Sequence, residues 1–431
     1  MARPHGTARV GTSYGLLGRT LGHSYSPAIH ARLGSVPYDL IELEPDELSG
    51  FVRNGSWKGL NVTIPYKRDV VALADELAPA VRRLGAANTL VRREDGSVLA
   101  DNTDLYGFAS LLERFATRSL GAASARDALA GREVLVLGSG GASRAVCAAL
   151  GDVGALVSVI SRSGDDTYAG LAGRHPRASL VVNATPVGMY PHCPASPLAE
   201  ETLHALPGLA GVLDVVYNPA RTGILLEAER LGIPGDNGLR MLVAQAKRSS
   251  ELFRSTTIDD ALVDAIESSL RALMGNVVLI GMPGVGKTGT GKSLAHQTGR
   301  PFIDLDAAIE LEYGSSPARI ITERGEPAFR ALETEVIRSY GMRSGLVIAC
   351  GGGCVTREEN YDLLHQNGTL VMLDRPVETL STRGRPLSVE RGVEALARER
   401  LPLLRRWADM VFRCTGSPAG DALGVARELG L

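Results

Sequence analysis

A chain of 431 residues is too long for one hydrophobic core and predicts about two to four domains. With 46 Lys+Arg against 48 Asp+Glu, the net charge of −2 excludes a chain-wide polyanion binder, and 44% hydrophobic against 22% charged residues excludes extensive disorder. The 50 glycines exceed the usual share of about 7% and point to tight turns and to backbone approaching ligands. Cys147, Cys193, Cys350, Cys354 and Cys414 are odd in number and scattered, which predicts free thiols in a reducing compartment and no disulfide framework. Cys350 and Cys354 have no second Cys or His pair at ligand spacing, so no metal is assigned to them. The N-terminus lacks an apolar stretch, and no run approaches the ~20 residues needed to span a bilayer. The expectation is a cytoplasmic protein acting on small molecules, with neither nucleic acid nor membrane as partner; its oligomeric state is open.

Strand-like runs alternate with Ala/Leu/Arg-rich helical stretches, the pattern of an α/β protein with parallel sheets. In Gly22–Pro27 (GHSYSP), Ser26 and Pro27 suit a helix start, while Ser24 and Ser26 also offer two hydroxyls to a polyol. Asn61–Lys67 (NVTIPYK) places a lysine after a strand-like run, and Asp101–Asp104 (DNTD) precedes a helical stretch over Leu105–Ala116 that Asp104 is also able to cap. Hydride transfer to a ketone leaves an alkoxide that needs a proton, and a lysine oriented by an aspartate is a workable donor, so Lys67 and Asp104 are the candidate pair.

Glu133–Leu137 (EVLVL) runs straight into Gly138, Gly140, Gly141, Ala142 and Ser143, a variant of the dinucleotide fingerprint whose N–H groups meet a pyrophosphate. The next strand, Leu156–Ile160, ends in Ser161, Arg162 and Ser163 where an NAD enzyme carries an acidic residue; a cation and two hydroxyls suit the 2′-phosphate of NADP.

GHSYSP, NVTIPYK, GAANTL, DNTD, GSGGASRA, NATPVGM, DVVYNP and NGLRMLVAQA closely resemble shikimate dehydrogenase, a likeness taken over residues 14–272. It implies that Ser24, Ser26, Thr63, Asn88, Asp104, Tyr217 and Gln245 contact shikimate, with Lys67 as acid/base and Gly238 and Met241 near the nicotinamide. The implied reaction is NADPH-dependent reduction of 3-dehydroshikimate. Three departures from the family pattern stand out: Arg19-Thr20 before His23, Asp165-Asp166 where a basic residue often follows the 2′-phosphate group, and only 22 positions from Ser161 to Asn183, too few for the family's helix–strand–helix, which implies a Rossmann half trimmed by a strand or by most of a helix.

Ile258, Ala261, Leu262, Ala265, Ile266, Leu270 and Leu273 repeat at helical spacing after Thr257, a residue able to cap, and the main boundary is placed after this helix. Asn276–Ile280 (NVVLI) then leads into Gly281–Thr288, which matches G-x-x-x-x-G-K-[ST]: loop N–H groups cradle phosphate, Lys287 reaches the β/γ-phosphates and Thr288 holds Mg²⁺. An overlapping match ending in Lys292-Ser293 has no strand before it and is a coincidence of composition. Asp304 and Asp306 fall two apart at a strand end, hence on the same side, one suited to Mg²⁺ and the other to a substrate hydroxyl. Arg330 suits a carboxylate, Gly351–Gly353 would let a ring lie on the backbone, and Arg383–Arg385 forms a basic loop that closes over phosphates.

GMPGVGKT, IDLDAAIE, EPAFRALE, ACGGGCV, RGRPL and RERLPLLRRWAD, in this order, look like shikimate kinase over residues 276–431. The resemblance implies that Asp306, Arg330, Gly352 and Arg400 hold shikimate and that Asp306 is catalytic beside Lys287. Gly284, Val285, Gly286, Lys287, Thr288, Gly289 and Arg385 would bind ATP, and Thr288 and Asp304 the Mg²⁺.

The expected architecture is therefore an N-terminal α/β substrate domain (1–108), a Rossmann-like NADP domain (109–274) and a P-loop, nucleoside-monophosphate-kinase-like α/β/α domain (275–431). The expected function is a bifunctional enzyme that makes shikimate and then shikimate 3-phosphate. Two alternatives are a ligand-sensing regulator on the same folds, disfavoured because Lys67, Asp104, Lys287 and Thr288 are all kept, and an enzyme pair acting on quinate or aminoshikimate.

Overall fold

In a computed structural model, residues 14–22, 24–381 and 391–431 are described. They form two compact units: one takes in residues up to Pro186 with Pro197–Tyr217 and Glu227–Ser269, the other Val187–Ser196, Asn218–Leu226 and Leu270–Leu431.

The first unit carries two sheets. The N-terminal one has the order β2-β1-β3-β5-β6-β4, with β1 Tyr14–Gly18, β2 Tyr38–Glu42, β3 Gly59–Val62, β4 Glu76–Leu77, β5 Thr89–Arg92 and β6 Val98–Asp101. Strands β1, β2 and β3 run parallel, whereas β5 is antiparallel to both β3 and β6. Asn61 therefore stands opposite Thr89, and Thr89 opposite Asp101. That register brings the chain after β3, before β5 and after β6 to one edge, which is how Lys67, Asn88 and Asp104 converge. Leu17, Leu60, Val62, Leu90 and Ala100 bury beneath them with Val52, Val70 and Val81.

The second sheet is wholly parallel, in the order β11-β10-β9-β7-β8: β7 Glu133–Leu137, β8 Leu156–Ile160, β9 Ala178–Asn183, β10 Gly211–Asp214 and β11 Gly235–Asp236. Val134–Leu137 are completely buried, as expected of a central parallel strand. The chain leaves β7 for β8 on one side and returns to β9 on the other, so the ligand crevice lies beyond the carboxyl ends of these strands. The crossover from β8 to β9 retains only a four-residue helix, Leu171–Arg174. The shortened sequence has thus cost most of a helix and left the strands in place.

Helices Thr103–Arg118 and Leu239–Arg254 pack closely at Gly107, where an added Cβ would lie 2.6 Å from the carbonyl oxygen of Met241. The helix after Thr257 begins later than its apolar repeat suggests, at Ala261, whose N–H donates to the Asp259 carboxylate; Asp259 takes the capping role given to Thr257.

The second unit holds a parallel sheet in the order β13-β14-β12-β15-β16: β12 Asn276–Ile280, β13 Phe302–Asp304, β14 Val347–Ala349, β15 Gly368–Asp374 and β16 Met410–Arg413. All five residues of β12 are buried, and the loop it feeds opens the helix Lys287–Thr298. The overlapping Lys292-Ser293 match lies inside that helix. Among the described residues no helix is long and apolar enough to cross a membrane.

Gly107→Val should destabilise the first unit by about 1–3 kcal/mol, because the obstructing atom is backbone and cannot turn aside. Thermal unfolding of the full chain, followed with both activities, should show the reductase lost at a lower temperature and the kinase unmoved.

Candidate active sites

In the first unit the Lys67 ammonium donates to the Asp104 carboxylate at 2.6 Å. The other Asp104 oxygen accepts from the Asn88 amide at 3.0 Å, and that amide also donates to Gln245 Oε1 at 2.9 Å. Asn88 Oδ1 in turn accepts the Thr103 N–H at 2.7 Å, fixing the entry to helix Thr103–Arg118. Asp104 lies inside that helix with its carboxylate turned to Lys67 and Asn88, so it is not the helix cap. Four of the expected residues thus form one hydrogen-bonded group: Lys67, Asn88, Asp104 and Gln245.

Ser24 Oγ accepts the N–H of Ser26, so Ser24 supports the helix start that Ser26 was expected to cap. Thr63 N–H donates to the Leu17 carbonyl. Tyr217 meets Tyr25 edge-on with ring centroids 6.4 Å apart, and burial pushes its phenol above the ordinary range. A layer of hydroxyls and amides lies beneath: Asn61 donates to Ser249 Oγ at 2.7 Å and accepts from Tyr38 OH at 2.8 Å, while Thr89, Thr103 and Ser249 bond one another. Asn61, Thr89 and Thr103 lie within the quoted motifs NVTIPYK, GAANTL and DNTD, but spacing alone gave them no role, and Ser249 lies outside any quoted motif. His30 is also buried, stacked on Tyr38 at 4.0 Å, and desolvation pulls its imidazole down to about 3.

In the dinucleotide crevice Gly138 has φ +100°, a conformation that a side chain would strain. Gly140 and Gly141 begin helix Gly141–Asp152, and a Cβ on either would meet only open space, so their N–H groups are accessible to a phosphate. Ala142 follows in the first turn. The Ser143 hydroxyl is buried against Cys147 Sγ at 3.9 Å, which leaves that residue only its backbone for an anion. Arg162 and Ser163 are exposed beyond β8, whereas Ser161 is buried and donates its N–H to the Asp166 carbonyl at 3.0 Å. Gly238 is fixed by crowding, since a Cβ would lie 2.0 Å from the Val215 carbonyl oxygen; Met241 packs into the hydrophobic core of this half.

In the second unit a cavity of about 260 Å³ gathers Gly284, Gly286, Lys287, Thr288, Gly289, Asp304, Asp306, Arg330, Gly352 and Arg400. Val285 is absent from its lining because its side chain is in the core. Arg385 lies outside the described residues. Lys287 Nζ donates to the carbonyls of Gly281 and Met282 at 2.8 and 3.1 Å. Thr288 Oγ1 donates to Asp304 Oδ2 at 2.7 Å. Hydroxyl and carboxylate oxygens are the donor set that Mg²⁺ accepts alongside water and substrate phosphates.

The expectation that Asp304 and Asp306 share one side of a strand is corrected: β13 ends at Asp304, whose carboxylate accepts the N–H groups of Asp306 and Ala307 at the start of helix Leu305–Tyr313. Both carboxylates still reach the cavity, through a helix turn.

Arg330 is held by Glu333 at 2.6 Å and by Glu326 at 2.9 Å. Arg400 is 2% exposed, donates to the Gly352 carbonyl at 3.3 Å, and keeps Nε and Nη2 without hydrogen-bond partners among the described residues. Arg400, buried beside the cavity, is suited to a carboxylate, while Arg330 next to it is engaged by Glu326 and Glu333. Glu333, which sequence reasoning left unassigned, is fully buried; burial raises its carboxyl and Arg330 opposes that shift. Gly351–Gly353 are small because protein groups crowd them: a Cβ on Gly353 would lie 2.0 Å from Arg330, and one on Gly352 2.6 Å from the Pro283 ring.

A lysine–carboxylate pair with a dinucleotide-type crevice defines an oxidoreductase half, and a P-loop pocket with a carboxylate receptor defines a phosphotransferase half. Residues 16–90 match the model of the shikimate dehydrogenase substrate binding domain, and residues 283–428 that of shikimate kinase. A shikimate dehydrogenase (NADP(+)) of Symbiobacterium thermophilum is 36% identical over 281 residues, covering 57% of this chain and 90% of its own. The crystal structure of a chorismate mutase/shikimate 5-dehydrogenase fusion protein from Clostridium acetobutylicum is 34% identical with a TM-score of 0.54, covering 60% of this chain and 97% of that one. A quinate dehydrogenase from Corynebacterium glutamicum, in complex with NAD, is 27% identical with a TM-score of 0.51, covering 60% and 98%. The chain belongs to the shikimate dehydrogenase family and continues into a shikimate kinase domain.

Two substitutions test these surroundings. Glu333→Ala leaves Arg330 buried without its closest counter-charge and should cost the kinase unit about 3 kcal/mol or more, read by denaturant unfolding. His30 is neutral when folded, so its contribution to stability is whole above pH 6.5 and declines as pH falls toward about 3. His30→Phe should remove about 1.4 kcal/mol of loss per pH unit in that window, measured as the pH dependence of unfolding.

Proposed function

We propose that the two halves act in sequence, reducing 3-dehydroshikimate to shikimate and phosphorylating shikimate on its 3-hydroxyl. One observation carries this reading. The chain holds a lysine–aspartate proton-donor pair at 2.6 Å and, in its other unit, a phosphate loop beside two guanidiniums suited to the carboxylate that the first product retains. When bound, NADPH supplies the hydride and Mg·ATP the phosphoryl group.

The proposed domains are 1–108 for substrate, 109–274 for NADP and 275–431 for the kinase. Lys67 delivers a proton to the oxygen of the reduced carbonyl, Asp104 aims the ammonium, and Asn88, which also donates to Gln245, holds the second oxygen of Asp104. Ser24, Ser26, Thr63 and Tyr217 complete the substrate surface. NADP lies on Gly138–Ser143 and Ser161–Ser163, with Gly238 and Met241 toward the nicotinamide.

In the kinase, Arg330 and Arg400 grip the carboxylate of shikimate, and Asp306 accepts the proton of the attacking hydroxyl. The Gly284–Gly289 backbone and Lys287 hold the phosphates, and Thr288 and Asp304 hold Mg²⁺. Arg385 is retained as an ATP contact on the family resemblance. A cytoplasmic setting and small-molecule substrates, without nucleic acid or membrane, complete the proposal; five free cysteines support the reducing compartment.

A second reading, oxidation of quinate with NAD, draws on the likeness to the quinate dehydrogenase. Arg162 after β8 favours NADP over NAD.

The test is incubation with 3-dehydroshikimate, NADPH and Mg·ATP, with products identified by mass spectrometry. Wild type should consume NADPH and form shikimate 3-phosphate. Lys67→Ala should lower reduction by about 10²–10⁴-fold and leave phosphorylation of added shikimate intact, and Lys287→Met should do the reverse. Higher catalytic efficiency with quinate and NAD would overturn the shikimate assignment.

A further inference from the structure

The crossover that follows Ser161–Ser163 has a single helical turn where a longer helix would pin the loop against the sheet. An ionic chain does that work here. Asp166 is its knot: its carbonyl accepts the Ser161 N–H at 3.0 Å, its Oδ1 accepts Arg174 Nε at 3.0 Å and Nη2 at 2.6 Å, and its Oδ2 meets His175 Nε2 at 2.6 Å. The opposite ring nitrogen, His175 Nδ1, meets Glu133 Oε1 at 2.7 Å. Glu133 is the first residue of β7, so the chain ties the turn to the amino end of an interior strand of the sheet. Arg174 also donates to the carbonyls of Thr167 and Ala169, closing the segment between.

Ionised carboxylates only accept hydrogen bonds, and a neutral imidazole donates from one nitrogen only. His175 stands between two carboxylates, so the geometry is that of an imidazolium. The charged groups facing it are Glu133 from β7, Asp166 from the turn and, through Asp166, Arg174 from the short helix. Burial alone would depress the imidazole, but the bonds to Glu133 and Asp166 lift it above its ordinary 6.5. Burial would likewise raise the Asp166 carboxyl, and Arg174 and His175 hold it below the usual range.

We propose that the Glu133–His175–Asp166–Arg174 chain positions the Ser161–Ser163 turn for the ribose 2′-phosphate, and that protonation of His175 thereby makes the preference for NADPH over NADH depend on pH. The proposal rests on the assignment of Ser161, Arg162 and Ser163 to that phosphate. Below the shifted pKa both carboxylate bonds to His175 are made. As pH rises through it, the imidazolium loses a proton, one bond is lost and the turn loosens. The KM for NADPH then climbs, while hydride transfer at saturating cofactor and the KM for NADH, which has no 2′-phosphate, stay as they were. His175 is a positioning residue, acting through Asp166 on the turn.

The experiment measures KM for NADPH and NADH, and kcat, across the neutral and alkaline range for the full-length wild type, His175→Gln and Arg162→Ala. His175→Gln should raise the NADPH KM roughly tenfold at the acid end, the worth of one charge-assisted bond. Its kcat and NADH KM should stay at the wild-type values. The wild-type NADPH curve should climb on the alkaline side toward that of the variant, whose own curve lacks the inflection. The 2′-phosphate titrates in both proteins, so their difference isolates His175.

Arg162→Ala should abolish the NADPH preference at every pH; if it does not, the assignment of the turn fails whatever His175 does. If Arg162→Ala abolishes it but His175→Gln keeps the wild-type NADPH curve, the positioning proposal is overturned. An equal rise in both KM values would also overturn it, by showing general loosening. Should His175→Gln fail to fold, ¹⁵N NMR of the wild-type imidazole decides: a titration midpoint above 6.5 supports the proposal, and one at or below 6.5 overturns it.

Discussion

A carboxylate buried in protein must have both oxygens satisfied, and the first unit is organised around that demand at Asp104. One oxygen takes the Lys67 ammonium and the other the Asn88 amide, and Asn88 in turn secures Gln245 and the N–H of Thr103. These partners come from four segments distant in sequence, and the reversal of strand direction at β5 brings three of them to one edge. The fourth arrives on helix Leu239–Arg254, admitted by the missing side chain at Gly107. The kinase unit solves the same electrostatic problem with the signs exchanged: Glu333 and Glu326 neutralise Arg330, while Arg400 Nε and Nη2 have no hydrogen-bond partner among the described residues.

Much of this was legible in the sequence. Runs such as EVLVL and NVVLI announce central parallel strands because burial on both faces removes alternation, and the glycine loops after them locate both nucleotide crevices. The spacing of Ser161 and Asn183 foretold the shortened crossover. What stayed hidden was side-chain direction. Asp304 and Asp306 read as strand neighbours, whereas a helix starts between them, and the Ser143 hydroxyl turns inward to Cys147. Glu333 and His175 belong to no glycine or lysine motif. Their importance comes from partners that packing supplies, Arg330 three residues before Glu333 and Glu133 a whole βαβ unit before His175.

The glycine triplet Gly351–Gly353 shows how a correct residue can be explained by the wrong cause. Its small size reads naturally as room for a ligand ring. In the fold the space is taken by Glu333, Pro283 and Arg330, each pressed against one glycine. The triplet lets Glu333, Pro283 and Arg330 come this close to the loop after β14.

The reduced crossover between β8 and β9 also bears on how such a protein changes over evolutionary time. A full helix there would contribute apolar residues to the core, and altering the turn before it would mean repacking that core. With one helical turn in its place, the turn is tied to β7 through polar contacts of Asp166, His175 and Glu133, and Arg162 and Ser163 stay exposed beyond β8. Exchange at those exposed positions is thereby open to drift and selection at little expense in folding free energy.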